Sequence, residues 1–131
     1  VATGASITGA ARSVLMLALS NAVNPVYCDT DSIICESLNS ELDETCLGAW
    51  KLEATGGSIA IAGKKMYALR SGNDYVKTAS KGVVLSGEEI FSLCSGKSKQ
   101  WRNEAPSFSL GKKRVKFISR NIAGMSTDAL L

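Results

Sequence analysis

The stretch Val26-Tyr27-Cys28-Asp29-Thr30-Asp31-Ser32-Ile33-Ile34-Cys35 places two aspartates between two short apolar runs. Short β-type runs on either side of a polar turn predict two antiparallel strands joined at residues 29–31. Residues two apart in an extended backbone point to the same side, so we expect Asp29 and Asp31 to face one site. The hairpin therefore predicts a pair of carboxylates at the rim of an apolar core.

The two carboxylates admit a functional and a structural interpretation. Held together at a tight turn, they repel each other unless a cation lies near them. Magnesium suits such a pair because it prefers hard oxygen ligands and keeps waters for substrate phosphates. Aspartate is also common in ordinary solvated turns. On the Asp-x-Asp pattern by itself the second interpretation is favoured, and the flanking apolar strands shift the balance towards a cation site.

The elements around this hairpin predict an α+β fold with mostly antiparallel strands. Apolar residues at helical spacing predict a helix over residues 4–21. The later patterns predict a strand-like segment over Leu47–Glu53, one or two strands over Ser58–Leu69 with Gly63 as a bulge, a turn at 71–74 followed by a strand to Ala79, a helix over 87–95 with a Ser86/Glu89 capping box, and a last strand around Val115–Ile118.

Composition narrows the classes of protein that fit. The 131 residues suit one modest domain or a part of something larger. Histidine and Cys-x-x-Cys pairs are both absent from the sequence, which argues against zinc, and we expect the four cysteines to be reduced and mostly buried. There is no run of about 18 apolar residues and no signal-peptide pattern, so we expect no membrane partner.

Charge is divided unevenly along the chain. Residues 1–60 have a net charge of −5, from two basic and seven acidic residues, and residues 61–131 have +8, from 13 basic and five acidic residues. A basic half predicts a polyanionic partner. Charge by itself leaves the kind of polyanion open. The main candidate surface for phosphates consists of Lys112, Lys113, Arg114, Lys116 and Arg120, and the residues that can extend it are Lys77, Lys81, Lys97, Lys99 and Arg102.

Three motifs together resemble family B DNA polymerases. Tyr27–Ser32 resembles that family's catalytic motif Tyr-x-Asp-Thr-Asp-Ser between two apolar strands. Upstream, Ala5–Thr8 followed by Arg12 resembles the helix between the fingers motif and the catalytic hairpin. Downstream, Lys65-Met66-Tyr67 resembles the Lys-x-Tyr motif at the palm–thumb junction. Cys28 and the compact tail are most similar to the protein-primed branch found in phages and linear plasmids.

The resemblance implies a fold and a division of the chain. Residues 1–83 would be the C-terminal part of the palm, with the hairpin in an antiparallel palm sheet, and residues 84–131 a small mixed, thumb-like subdomain. Such a fold is incomplete without an upstream polypeptide, which would carry the exonuclease, the fingers and the rest of the palm. We therefore expect the chain to be inactive by itself.

Residue roles also follow from the resemblance. Asp31 and Asp29 would be the catalytic metal ligands, holding two Mg²⁺ ions together with an upstream aspartate, with Mn²⁺ as a substitute. Tyr27, Thr30 and Ser32 would shape the turn. Lys65 would contact a primer or template phosphate, and Tyr67 would support the primer end. The basic surface of the second half would contact DNA phosphates, as a polymerase thumb requires.

The implied partners are those of a phage replication enzyme. They are primer–template DNA, deoxynucleoside triphosphates and a terminal protein as a further candidate primer. The implied location is intracellular, in the cytoplasm of a phage-infected host cell.

Two other functions fit parts of the pattern. A polymerase remnant would bind DNA or a partner without chemistry, although retention of both Asp29 and Asp31 argues against it. A metal-dependent glycosyltransferase could use Asp-x-Asp to hold a nucleotide sugar through manganese. That function requires a parallel α/β nucleotide-binding domain before the motif, and residues 1–28 are too few to form one.

Overall fold

The computed structural model describes residues 1–104, 106–109, 111 and 114–124. The chain is α+β, as predicted, and divides into two compact units, Val1–Glu53 and Ala54–Leu131. This division differs from the predicted palm–thumb boundary at residues 83/84. Val83 and Leu85 lie on either side of that boundary and belong to one buried core. The assignment of residues 1–83 to a palm and 84–131 to a thumb stays a prediction.

The first unit begins with helix α1, Ala2–Ser20, as the helical spacing predicted. Asn21 ends it, with its backbone N–H donating to the Ala18 carbonyl at 3.1 Å. Only Ala18 of the helix is buried, and apolar side chains such as Ile7 and Leu17 are exposed. By length and composition only, the helix is also long and apolar enough to cross a membrane, although it contains no unbroken run of about 18 apolar residues.

Four short strands follow in the first unit: β1 (Ala22–Val23), β2 (Tyr27–Asp29), β3 (Ser32–Ile34) and β4 (Ser37–Leu38). β2 pairs with β3 and β1 with β4, both antiparallel. Backbone bonds from Val26 to the Ile34 carbonyl (2.9 Å) and from Glu36 to the Val23 carbonyl (3.0 Å) join the two pairs. The predicted hairpin is therefore the tip of a longer antiparallel ribbon that starts directly after α1.

The second unit is built on a three-stranded antiparallel sheet in the order β5-β6-β7, with β5 at Ser58–Gly63, β6 at Met66–Ser71 and β7 at Asp74–Ser80. The register shifts between Ile61 and Gly63, where the sequence predicted a bulge. Helix α2, Gly87–Cys94, starts at the predicted Ser86/Glu89 capping box and packs on β5 and β6. Small residues on the sheet (Ala60, Ala62 and Ala68) let Ile90 and Leu93 of the helix approach closely and become buried.

Two further strand pairs complete the described part of this unit. β8 (Ser98–Arg102) pairs with β11 (Ser119–Ala123), and β9 (Ser107–Ser109) pairs with β10 (Arg114–Lys116). Ile122 of β11 is buried in the same core as α2. The sequence predicted one late strand and did not predict β8, β9 or β11.

The prediction of a strand over Leu47–Glu53 was wrong. These residues form a turn and irregular backbone, with a single isolated bridge between Leu42 and Trp50. Leu47 is fully exposed, so the apolar residues that suggested a strand have no core to pack against.

Candidate active site at the Asp29–Asp31 turn

The β2–β3 hairpin closes in two residues, Thr30 and Asp31, because Asp29 is already paired with Ser32. Thr30 has φ +30°, a left-handed backbone that a β-branched residue rarely adopts. Two local hydrogen bonds hold the turn: Thr30 Oγ1 donates to Asp29 Oδ1 at 3.1 Å, and Ser32 Oγ donates to the Asp29 carbonyl at 3.2 Å. Thr30 and Ser32, two of the residues predicted to shape the turn, are therefore both bonded to Asp29.

Asp29 and Asp31 do not share one side of a continuous strand, as had been predicted. The prediction assumed extended backbone through Thr30, whereas β2 ends at Asp29 and the chain turns immediately afterwards. The turn itself brings the two acids to the same end of the hairpin. Asp29 is half-buried and Asp31 is exposed, so the two carboxylates meet different surroundings.

Tyr27 and Asp29 lie on one face of β2, and Cys28 lies on the other. Tyr27 is half-buried opposite Ile34, whereas Cys28 is exposed opposite Ile33. The cysteines were predicted to be mostly buried, and this was wrong: Cys28, Cys46 and Cys94 are exposed and Cys35 is half-buried, all as free thiols. Desolvation nevertheless raises the pKa of the Cys94 thiol.

The oxygen atoms at this turn fit a hard divalent cation. The Thr30 hydroxyl orients one oxygen of Asp29, and no residue in the described ranges donates a hydrogen bond to the Asp31 carboxylate. Oxygen ligands of this kind suit Mg²⁺ or Mn²⁺. No group of three or more metal-binding side chains occurs among the described residues, so a cation held here needs further ligands.

A second acidic site, Asp43, differs from Asp31 in its hydrogen bonding. Its Oδ1 accepts from Thr45 Oγ1 at 2.7 Å, from the Thr45 N–H at 2.8 Å and from the Cys46 N–H at 3.2 Å. These bonds, the Thr45 hydroxyl first, lower the pKa of Asp43. Because donors of its own loop already bond this carboxylate, we interpret Asp43 as a structural turn residue rather than a metal ligand.

The residues of the predicted Lys-x-Tyr motif lie in the second unit. Lys65 occupies the two-residue turn between β5 and β6 with φ +56°, and its carbonyl accepts the Lys81 N–H at 3.0 Å. Tyr67 on β6 pairs with Ile61 and Ala79 and is half-buried. By strand alternation it shares the sheet face opposite α2 with Lys77, which pairs with Leu69.

The predicted basic cluster is described only in part. Lys112 and Lys113 lie outside the described residues. Arg114 and Lys116 belong to β10, and Lys116 is exposed opposite Ser107. Their contact with DNA stays a prediction.

Two cation–aromatic contacts in the second unit were not predicted. The Arg102 guanidinium lies 4.1 Å from the centroid of the Phe117 ring, and that of Arg70 lies 4.9 Å from Phe91. Both contacts join residues that are far apart in sequence, so no local pattern paired them. In strand β8 the half-buried Lys99 and Trp101 alternate with exposed residues, but Trp101 is its single apolar residue, so the sequence carries no apolar alternation there.

Nearly the whole chain is similar in sequence to a known protein. The sequence is 47% identical, over an alignment of 154 positions, to a DNA-directed DNA polymerase of Enterobacteria phage PRD1. The match covers 95% of this chain and 28% of the phage polymerase, so the chain spans less than a third of that relative's length. No family model and no solved structure matches the chain.

Proposed function

We propose that this chain is the palm-and-thumb part of a family B DNA-directed DNA polymerase. The observation that carries the proposal is the Asp29–Thr30–Asp31 turn, in which a strained residue separates two carboxylates at a hairpin tip. Strained backbone is retained where surrounding structure enforces it, and it is concentrated at functional sites. Similarity to a phage DNA polymerase over 95% of the chain supports the same function.

In this proposal the two aspartates divide the ligation. Asp31 is exposed at the tip and would hold both cations, whereas the half-buried Asp29, which accepts a hydrogen bond from Thr30, would contribute less to binding them and would orient the turn. Two Mg²⁺ ions held there would supply activation of the primer 3′-hydroxyl and neutralisation of the triphosphate, and Mn²⁺ would be able to substitute. The missing ligand is an aspartate from the remainder of the polymerase.

The second unit supplies the contacts to primer–template DNA. Lys65 and Lys81 are linked through the backbone at one end of the β5-β6-β7 sheet and bind backbone phosphates. Tyr67, on the face opposite α2, supports the primer end, with Lys77 beside it. The basic residues from Lys112 to Lys116 extend this interface.

The remaining partners follow from the part of the relative that this chain does not span. The rest of the palm, the fingers and the exonuclease belong to that part, and the exposed apolar residues of α1 pack against it. This accounts for a helix that is apolar yet almost entirely exposed within its own unit. The complete enzyme acts inside a phage-infected cell on deoxynucleoside triphosphates, with a terminal protein as its candidate primer.

Primer extension by a chimera tests the proposal. The matched region of the PRD1 polymerase is replaced by this chain, and extension is measured with Mg²⁺, first with Asp31 intact and then with Asp31→Ala. We expect extension by the chimera and a loss on the order of 10³-fold in Asp31→Ala, because that carboxylate acts directly on reacting groups.

Asp74→Ala is the matched control, since Asp74 lies beside another hairpin turn and is exposed. It should extend primers within about twofold of the unchanged chimera. Thermal melting checks that each variant is folded. Equal activity of Asp31→Ala and Asp74→Ala would reject the proposal, and DNA binding by a folded but inactive chimera would favour a remnant that binds without chemistry.

A further inference from the structure

The ribbon that carries the proposed metal ligands is irregular between its two strand pairs, β1–β4 and β2–β3. From the end of one pair to the start of the other, the first strand has three residues, 24–26, and its partner has two, 35–36. One strand therefore has one residue more than the other, which is a β-bulge. Asn24 and Pro25 lie on the longer side of this bulge and Glu36 lies on the shorter side.

The backbone and the side chains at the bulge are bonded across the ribbon. Asn24 has φ +47°, a left-handed conformation that asparagine adopts more readily than most residues with a Cβ. Pro25 has no backbone N–H to offer to a strand partner. The Asn24 side-chain amide donates to Glu36 Oε2 at 2.7 Å, and the Glu36 N–H donates to the Val23 carbonyl at 3.0 Å. The two strands are therefore linked at the bulge through a side chain as well as through the backbone.

The extra residue decides which face of the ribbon the motif residues take. Ala22 and Tyr27 are five residues apart, so an uninterrupted strand would place them on opposite faces. Both are nevertheless half-buried, as are their partners Leu38 and Ile34, which are four residues apart. The bulge accounts for this pattern, because one additional residue brings Tyr27, and with it Asp29, to the side of Ala22.

A small change at the bulge is magnified at the hairpin tip. Beyond the bulge, the β2–β3 pairing consists of three residue pairs. Glu36 and Asp31 are five residues apart, which in extended chain is a distance on the order of 15 Å. Rotation of the hairpin by about 5° at the bulge would therefore move the Asp31 carboxylate by about 1 Å. Catalytic groups must be held within about 0.5 Å of their productive positions, so a shift of this size would lower activity.

We propose that Asn24 and Glu36 are positioning residues for the Asp29–Asp31 turn, because their side-chain hydrogen bond fixes the angle of the bulge and so the place of both carboxylates. Bulges are common beside active sites, where they redirect a side chain. The bond joins an amide to a carboxylate, and such bonds are shorter and stronger than those between neutral groups. Water competes for both exposed side chains, so the bond adds little to the stability of the fold and acts mainly on geometry. The inference rests on the proposed function and adds two residues outside the Tyr27–Ser32 motif.

Primer extension and Mn²⁺ binding by the chimera test the positioning role. Glu36→Ala removes the acceptor, and Asn24→Gly removes the donor but permits the positive φ. We expect each variant to lower kcat about fivefold to tenfold, whereas KM for the primer–template should stay within about twofold. The Mn²⁺ binding that depends on Asp31, followed by electron paramagnetic resonance, should weaken about threefold in both variants.

A double variant and a conservative variant assign these losses to the hydrogen bond. Asn24→Gly and Glu36→Ala break the same bond, so the double variant should lose no more activity than the weaker of the two single variants. Glu36→Gln keeps an oxygen that can accept from Asn24 and should recover most of the activity.

Thr45→Val is the matched control, because it also removes an exposed side-chain hydrogen bond of 2.7 Å from the first unit. It should leave kcat and Mn²⁺ binding within about twofold of the unchanged chimera. Thermal melting places all variants on one scale of stability. The inference would be overturned by losses in Asn24→Gly and Glu36→Ala no larger than in Thr45→Val, or by single losses that add in the double variant.

The outcomes also separate this inference from the proposed function. Extension that is lost in Asp31→Ala but unaffected in Glu36→Ala rejects only the positioning role. Mn²⁺ binding that depends on both Asp31 and Glu36, in a chimera that extends no primer, rejects only the polymerase. A chimera without Asp31-dependent extension or Mn²⁺ binding rejects both.

Discussion

The turns at Thr30–Asp31 and Lys64–Lys65 differ in backbone chemistry from the turn at Gly72–Asn73. Each connects two antiparallel strands through two residues. The Gly72 turn uses glycine at φ +60°, which costs no strain. The other two place Thr30 at φ +30° and Lys65 at φ +56°, conformations that cost roughly 1–2 kcal/mol for residues with a Cβ.

The difference separates turns that only reverse the chain from turns that also present a side chain. At Gly72–Asn73 the residue at positive φ carries no side chain, and we assign no chemistry to it. Thr30 carries a hydroxyl that bonds Asp29, and Lys65 carries an ammonium that is proposed to contact DNA. Glycine would relieve the strain at either position and would remove the functional group.

Among substitutions at the residues with positive φ, Lys65→Gly should give the largest effect, with stability and DNA affinity changing in opposite directions. Relief of the left-handed lysine should raise the free energy of unfolding by about 0.5–1 kcal/mol after the entropy cost of glycine. Loss of the ammonium should weaken DNA binding by about tenfold. Amide hydrogen exchange of β5 and β6 and a DNA titration at fixed salt measure the two effects.

Gly72→Ala provides the opposite control for Lys65→Gly. Alanine at φ +60° should lower the free energy of unfolding by about 1 kcal/mol and leave DNA affinity unchanged. Stability changes of the same sign in the two variants would show that strain does not distinguish these turns.

Several local elements were predicted from the sequence, whereas the strained turns were not. The Tyr27–Ser32 pattern predicted the hairpin, and Ser86 with Glu89 predicted the start of α2, because each depends on local backbone hydrogen bonding. Positive φ at Thr30 and Lys65 has no compositional signal, since threonine and lysine rarely adopt it. These conformations follow from how strand pairing closes the turn.

Long-range packing accounts for the errors. Leu47 and Trp50 have strand-like composition, but a strand forms only where a partner is present, and Leu47 is fully exposed. β8 is polar at Gln100 and Arg102 and was missed because its partner β11 lies far along the chain.

Thr30 variants should give a smaller effect than Lys65 variants. Thr30→Ala loses the bond to Asp29 Oδ1 and keeps the strained Cβ, so it should destabilise the β2–β3 hairpin by about 0.5–1.5 kcal/mol. Thr30→Gly loses the same bond but relieves the strain, so its stability should stay within about 1 kcal/mol of the unchanged chain. Hydrogen exchange at the Val26 N–H, which bonds the Ile34 carbonyl, measures both.

Extension by the chimera separates the two roles of Thr30. Both variants lose the hydroxyl that orients Asp29, so both should extend primers more slowly and require more Mg²⁺. Full activity in Thr30→Gly together with low activity in Thr30→Ala would mean that the turn contributes only stability.

The smallest expected effect concerns Asp43, whose carboxylate accepts three hydrogen bonds from its own loop. Its pKa is lowered from an ordinary value of 3.8 chiefly by the Thr45 hydroxyl, so the loop gains stability from the ionised form. That stability is fully present above pH 3.8 and is lost as the pH falls through the lowered pKa. Thr45→Val should raise the Asp43 pKa in an NMR titration of its carboxyl carbon.

Primer extension at neutral pH should be unchanged in Thr45→Val, because Asp43 stays ionised and takes no part in binding a cation. Asp31 differs in that no described donor bonds its carboxylate, which leaves its oxygens open to a metal. A Thr45→Val chimera with a raised Mg²⁺ requirement would therefore place Asp43 in the metal site and would contradict the division of the two acids into a ligand and a turn residue.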